Sequence, residues 1–477
     1  MKTQLTLCIS GTLLLIGMSG CEKTPERPMN VVYILADDLG YGDVGCYGQQ
    51  IIKTPNIDRM AKEGMLFTQH YAGCTVSAPS RCSLMTGLHT GHTQVRGNRE
   101  ITPEGQQPMR EDTYTLGKLM KSAGYTTGIF GKWGLGNPGS VSIPNKMGFD
   151  EFYGYNCQRQ SHSFYPDHLW HNEEKVLFPE NENNACKTYS QDLIHEQALK
   201  FIRDHKEQPF FAILTYTLPH AELNLPHDSI YKMYENSFEE TPYIGKFDKV
   251  YGGYNTSEKP LASFAAMVSR LDKYVGDVMA ELKELGLDKN TIVIFTSDNG
   301  PWLTEHENGG SAGPLKDGKG TWWEGGFRVP AICWMPGKIN PAINDEIMTS
   351  MDLYPTFLSM AGIEQPKDLV LDGVNQTGLL FEEKHSARDE VYYWWGSELM
   401  AIRKGEWKYY FKTIKDQYLR TCKIETPTEP LLYNVETDIS ERFNQAEKHP
   451  EIVKLLIEAG EKHKKGMKIK PSVCDMM

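Results

Sequence analysis

Past its first twenty positions the chain has no apolar run approaching membrane-spanning length, no C-x-x-C pair, no excess of positive charge and no internal repeat. The first absence leaves a mature protein that is soluble or merely anchored. The second excludes a zinc ribbon. A formal net charge of −12 argues against nucleic acid or an anionic membrane surface as a partner, so an anionic ligand would need a local cluster of cations. Disorder is also excluded, since 40% of residues are apolar and only 23% charged. A chain of 477 residues suffices for one large domain and a smaller one, each with its own core.

The N-terminus reads Met1-Lys2-Thr3, an apolar stretch from Leu5 to Met18, then Ser19-Gly20-Cys21 before a charged segment. This is an export signal over residues 1–20. The small residues before Cys21 resemble a bacterial lipoprotein cleavage box, which predicts a lipidated Cys21 as the first mature residue. The expected location is the periplasm or outer membrane of a Gram-negative bacterium, with simple secretion as the alternative. Membrane association would come only through that anchor. Export permits disulfides among the remaining cysteines, but spacing does not reveal their connectivity.

Apolar, β-branched runs alternate with helical patterns, the signature of a mostly parallel α/β sheet. The clearest strands are Val31 to Leu35, Thr126 to Phe130, Phe210 to Thr215 and Thr291 to Thr296. Between the first two, Thr54 and Pro55 open a helix with Ile57, Met60 and Ala61 on one face and Gly64 as its stop. Polar groups follow each strand: Asp37-Asp38, Lys132, His220 and Asp298-Asn299. Ligands of open α/β sheets bind beyond the strands' carboxyl ends, so four stretches deliver chemistry to one edge. Residues 28–363 read as the catalytic domain. Residues 364–477 read as a C-terminal α+β subdomain with strand-like runs at Val391 to Trp395, Met400 to Arg403 and Trp407 to Lys412, and a helix from Pro450 to Lys465. Asn172 to Asn184 and Asn224 to Pro260 read as long surface loops.

The strongest local signal is Ser77-Ala78-Pro79-Ser80-Arg81-Cys82-Ser83-Leu84-Met85-Thr86-Gly87. Pro79 suits a first helical turn, which puts Ser77 at a helix N-terminus where backbone N–H groups favour an anion. A serine hydroxyl is a weak nucleophile without further activation. A bare S-x-P-S-R is ordinarily a capped helix with an exposed arginine; the full pattern reverses that judgement. Asp37, Asp38, Asp298 and Asn299 together make an all-oxygen set suited to a hard cation, calcium before magnesium.

That eleven-residue pattern resembles the signature of type I, formylglycine-dependent sulfatases, and four more motifs extend the resemblance over roughly residues 29–330. The other four are Asp37-Asp38, Gly131-Lys132-Trp133-Gly134-Leu135-Gly136, Pro219-His220, and Gly318-Lys319-Gly320-Thr321 leading to Glu324-Gly325-Gly326-Phe327-Arg328-Val329-Pro330. The resemblance implies an alkaline-phosphatase-like fold, a mixed and mostly parallel sheet sandwiched by helices. It implies conversion of Ser77 to formylglycine (3-oxoalanine) by a serine-type radical maturase. One calcium ion would be held by Asp37, Asp38, Asp298, Asn299 and residue 77. Lys132 and Lys319 would bind sulfate beside Arg81, His220 would protonate the leaving alcohol, and Asp298 would serve as base. The nucleophile would pass through a sulfated enzyme intermediate, and the expected substrate is a sulfated carbohydrate.

Gly134 departs from the family pattern, which has a histidine there, and His162 is the candidate to replace it at the substrate. The aromatic stretch His162 to Trp170 is expected to stack on sugar. Two other readings remain open from sequence: a phosphatase, phosphodiesterase or phosphonate ester hydrolase on the same fold, and a catalytically silent glycan-binding lipoprotein.

Overall fold

The structure, a computed structural model, describes residues 27–245, 254–303, 309–414 and 424–467. The leader, Cys21, Cys422 and Cys474 lie outside the described residues. The other cysteines, Cys46, Cys74, Cys82, Cys157, Cys186 and Cys333, are free thiols.

The chain first lays down β1 (Asn30–Ala36), β2 (Met65–Phe67), β3 (His70–Tyr71), β4 (Thr126–Lys132), β5 (Glu151–Tyr155) and β6 (His168–His171). There follow β7 (Glu174–Leu177), β8 (Phe210–Thr215), β9 (Thr291–Ser297), β10 (Ala331–Trp334), β11 (Ala342–Asn344) and β12 (Met348–Thr349). Ten of these form one sheet in the order β11-β2-β10-β9-β1-β8-β4-β5-β6-β7, while β3 pairs with β12. The central strands β9, β1, β8, β4 and β5 run parallel. Antiparallel pairing begins where β10 joins β9 and where β6 joins β5. The result is the expected mixed, mostly parallel sheet.

Its central strand is buried on both faces, which is why Asn30–Ala36 reads as an almost unbroken apolar run. Alternation splits that run between two cores. Val32, Ile34 and Ala36 pack with Ile57 and Met60 of the Pro55–Glu63 helix and with Leu271, Val275 and Val278 of the Pro260–Glu284 helix. Val31, Tyr33 and Leu35 pack with Ala78, Cys82 and Met85 of the Ser77–Thr86 helix and with Leu353 and Phe357 of the Leu353–Met360 helix. Each such aliphatic or aromatic side chain contributes about 1.5–3 kcal/mol by leaving water.

The strands run slightly past their expected ends. β4 continues through Lys132 because Gly131 has φ +116°, and a Cβ there would lie 2.1 Å from the Thr215 carbonyl oxygen of β8. The stretch expected as a loop over Asn172 to Asn184 instead contains β7 and a 3-10 turn over Pro179–Asn184, because its Val176 packs inward while its polar neighbours face solvent. The second expected loop holds a short helix, Ser229–Lys232.

Four C-terminal strands, β13 (Glu390–Trp395), β14 (Glu398–Lys404), β15 (Trp407–Tyr410) and β18 (Leu431–Asn434), make an antiparallel sheet; β16 (Thr413–Ile414) and β17 (Ile424–Glu425) form a separate pair. Ile402, Tyr409 and Leu432 carry the Pro450–Gly466 helix through Leu456. The opposite face meets Tyr71, Trp322 and Phe327 of the larger unit. Among the described residues no helix is long and apolar enough to cross a membrane.

Candidate active site

Every polar group expected beyond the parallel strands converges at their carboxyl edge. β1 is followed at once by Asp37, whose amide donates to the Leu218 carbonyl (3.1 Å), and then Asp38 turns through a left-handed conformation at φ +64°. That turn aims two successive carboxylates into the same interior; Asp37 and Asp38 are both buried. Beyond β9, the Ser297 hydroxyl accepts from the Leu39 amide (2.9 Å) and donates to the Asn299 carbonyl (2.9 Å), tying that turn to the first.

Ser77 is the first residue of the Ser77–Thr86 helix, and Val76 at the N-cap supplies no side-chain cap. The positive end of the helix dipole therefore faces the carboxylates. The Ser77 hydroxyl donates to Asp37 Oδ1 at 3.0 Å and lies 3.5 Å from Asn299 Oδ1. One turn on, Arg81 donates through Nε and Nη2 to Asp298 Oδ2 (3.1 and 2.9 Å) and through Nη1 to the Lys132 carbonyl (2.9 Å). The Lys132 ammonium sits 2.6 Å from Asp37 Oδ2, and that of Lys319 sits 2.7 Å from Asp38 Oδ2. Lys319 also approaches His220 Nε2 at 3.3 Å, and His220 Nε2 is 3.4 Å from Asp38 Oδ2. Asn299 Nδ2 donates to Asp38 Oδ1 (2.7 Å).

Three carboxylates thus face three permanent cations in a buried site. Burial alone would raise the Asp37 carboxyl, but Lys132, His220, Arg81 and Lys319 hold it well below the usual carboxylate range. Asp298 moves the other way, raised by burial and then by the Asp37 charge. Burial, reinforced by Lys319, drives the His220 imidazole well below its ordinary value, and burial also lowers Lys132. Asp37, Asp38, Asp298 and the Asn299 amide offer oxygen donors around the Ser77 hydroxyl, a donor set that fits a hard divalent cation. His220 is the one imidazole within ligand distance of this acidic pair among the described residues.

His162 also reaches the site, but its ring stacks on His220 at 4.7 Å and 12° instead of standing beside Gly134. Gly134 has φ +71°, and a Cβ there would come within 3.2 Å of the Gln158 side chain. Gln158 Nε2 in turn donates to Asn98 Oδ1 (3.3 Å), which also accepts the Ala78 amide (2.9 Å) next to Ser77. An amide pair, which cannot take up a proton, therefore occupies the space where the family pattern would put a histidine. Trp170, expected to stack on sugar, is instead buried and donates to Glu104 (2.6 Å).

Sequence reasoning missed the rings that do line the mouth. Tyr254 and Trp302 pack edge to face at 5.7 Å, Tyr254 meets His162 at 5.4 Å, Trp302 meets His220 at 5.6 Å, and the Lys319 ammonium lies 4.8 Å over Trp302. Trp302, three residues past Asn299, was legible from its spacing; Tyr254 carried no comparable signal.

Residues 29–363 match the sulfatase family, and residues 386–477 match the C-terminal region of aryl-sulfatase. N-acetylgalactosamine-6-sulfatase of Canis lupus familiaris is 34% identical over 420 residues, covering 83% of this chain and 73% of that protein. Arylsulfatase A of Homo sapiens is 31% identical, covering 88% and 83%. The solved PsFucS1 sulfatase from Pseudoalteromonas sp. superposes with a TM-score of 0.77 at 26% identity, covering 94% of this chain and 92% of its own. The structure of Ps i-CgsB in complex with k-i-k-neocarrahexaose gives 0.75 at 28%, covering 92% and 93%. With its fold, its C-terminal sheet and its sequence all matching, this chain belongs to the sulfatase family and is a sulfuric ester hydrolase.

Proposed function

We propose that this enzyme removes O-sulfate groups from carbohydrates, using formylglycine made from Ser77 and one calcium ion held by Asp37, Asp38, Asp298, Asn299 and residue 77. One observation carries the reading: a serine at a helix N-terminus lies 3.0 Å from Asp37 inside a buried set of three carboxylates, an amide and three cations. When present, the metal and the hydrated aldehyde would supply charge neutralisation and a geminal diol able to release sulfate by C–O cleavage.

The protein's own residues do the rest. Arg81, Lys132 and Lys319 neutralise sulfate oxygens in a largely buried site, where fixed charges act more strongly than in water. Asp298, with its raised carboxyl, is suited to accept a proton from the nucleophile. The Lys319 ammonium, 3.3 Å from His220 Nε2, supplies through that neutral imidazole the proton taken up by the departing sugar oxygen. Because Gln158 and Asn98 cannot act as bases, the proton released in the second half of the reaction falls to Asp298 or His220. Trp302, Tyr254 and His162 offer apolar faces to the sugar. Sulfated carbohydrates are the favoured class because relatives include an N-acetylgalactosamine-6-sulfatase and a glycan-bound neighbour. Export with a lipid anchor at Cys21, and maturation by a serine-type radical enzyme, complete the proposal.

The test is to coexpress the chain with a serine-type maturase, weigh the Ser77 peptide and assay sulfate release from a panel of sulfated sugars that includes N-acetylgalactosamine 6-sulfate. The expected peptide is lighter by one hydrogen molecule, with release from one regiospecific sugar. A matured peptide with phosphonate ester turnover and no sulfate release would overturn the substrate class.

A further inference from the structure

Pro79 takes the third position of the Ser77–Thr86 helix and has no amide hydrogen. Of the two amides that a capping side chain ordinarily satisfies, at the second and third helical positions, only that of Ala78 is therefore left. Val76, at the N-cap, has no side-chain oxygen to offer it. The acceptor comes from another part of the chain: Asn98 Oδ1 takes the Ala78 amide at 2.9 Å. The same oxygen accepts Gln158 Nε2 at 3.3 Å, and with two donors on it the Asn98 amide can stand only one way round.

The Ala78 nitrogen lies in one rigid peptide plane with the Cα and carbonyl of residue 77. Holding that amide fixes the backbone from which the Ser77 side chain leaves, and the Ser77 hydroxyl stands 3.0 Å from Asp37 Oδ1. Gly134 belongs to the same arrangement. A Cβ there would come within 3.2 Å of Gln158 Cγ, so the missing side chain gives the buried Gln158 room to reach Asn98.

Asn98 is itself exposed, and the hairpin that follows it holds its backbone. Glu100 and Gln106 form an antiparallel bridge, the Gln107 amide donates to the Arg99 carbonyl (3.0 Å), and the Gln106 amide donates to the Gly136 carbonyl (2.9 Å). At the tip, Glu104 Oε1 accepts Trp170 Nε1 (2.6 Å) and Glu104 Oε2 lies 3.1 Å from His168 Nε2, which pins the hairpin to β6. Gln106 Oε1 accepts the Gln158 amide (3.4 Å), so the two partners of the cap are also tied to each other.

We propose that Asn98 is a positioning residue for the ester hydrolysis: it caps the Ser77–Thr86 helix in place of Val76 and so holds residue 77 against Asp37, with Gln158 fixing its orientation. The inference rests on residue 77 being the nucleophile. Asn98 acts through the Ala78 amide, so its loss is felt in the chemical step and not in the binding of substrate. A displacement of about 1 Å at a reacting group costs on the order of a hundredfold in rate.

The full-length chain and its variants are coexpressed with a serine-type maturase and supplied with calcium. Turnover of N-acetylgalactosamine 6-sulfate and of 4-nitrophenyl sulfate is counted per oxidised residue 77, weighed on its peptide. Asn98→Ala should lower kcat by about tenfold to a hundredfold with KM unchanged. Asn98→Asp keeps the capping oxygen and should restore most of kcat, its added charge beside an anionic substrate appearing in KM alone. Gln158→Leu should lower kcat less than Asn98→Ala, and the double variant should fall no further than Asn98→Ala, because Gln158 acts through Asn98. Wild-type kcat in Asn98→Ala would overturn the inference, and so would an Asn98→Asp chain as slow as Asn98→Ala. Ser77→Ala is measured beside them: turnover that survives it would overturn the nucleophile reading and this inference with it. A silent Ser77→Ala beside an unimpaired Asn98→Ala would overturn this inference alone.

Discussion

Ser77 and Glu222 stand at opposite extremes of how one buried residue matters. The Ser77 hydroxyl makes one hydrogen bond to Asp37, worth about 1 kcal/mol. Ser77→Ala should therefore leave stability within about 1 kcal/mol while lowering turnover by roughly four orders of magnitude or more, as read by thermal melts beside sulfate release. Glu222 is buried near His220, its carboxyl accepting from the Asn255 amide and Nδ2 (3.3 and 2.9 Å), and burial pushes it up to about 7. A raised acid stabilises the fold below its unfolded pKa of about 4.5, and that contribution is lost as pH climbs through about 7. Glu222→Gln should accordingly gain stability relative to wild type between pH 5 and 8, by up to about 3 kcal/mol. Parallel curves in urea melts across that range would show the proton is not held there.

At the scale of elements, the loop bearing Lys319 is held from behind by a buried charge network. Lys408 of β15 donates to Glu324 Oε1 and the Trp322 carbonyl (both 2.8 Å), the Glu324 amide donates to Glu441 Oε2 (2.7 Å), and Tyr71 donates to Glu324 Oε2 (2.6 Å). Burial alone would raise the Glu324 carboxyl, but Lys408, Arg328 and Arg403 hold it below its ordinary value. Lys408→Met should cost about 3–5 kcal/mol by taking the nearest cation from two buried carboxylates, Glu324 and Glu441, and adding Glu324→Gln should restore part of it. A double-mutant cycle without coupling would contradict this account. The strands and the first helix were legible because their apolar periodicity is a local property, as in Val31 to Leu35 or Ile57 and Met60. β7 was not, since Glu174–Leu177 is mostly exposed and owes its place to pairing with β6. His162 stacks on His220, an arrangement that depends on a turn after Gln158–Ser161 that no spacing rule specifies. Tyr254 reaches the mouth from a distant stretch of chain for the same reason.

Across the whole molecule, a formal charge of −12 coexists with an anion site because Arg81, Lys132 and Lys319 are concentrated at one sheet edge. An ion that binds only the folded state adds about 2.7 kcal/mol at a hundredfold excess over its Kd. Chelation should then lower Tm and abolish turnover together, and calcium should restore both; recovery of turnover with zinc alone would argue for the phosphatase-like alternative. The central claim is that oxidised Ser77 is the nucleophile of a sulfate ester hydrolase. Sulfate released from a sulfated sugar, compared between wild type and Ser77→Ala after coexpression with the maturase and with calcium present, tests it most directly. Release by wild type and none by the variant is the predicted result, and equal release by both would contradict it.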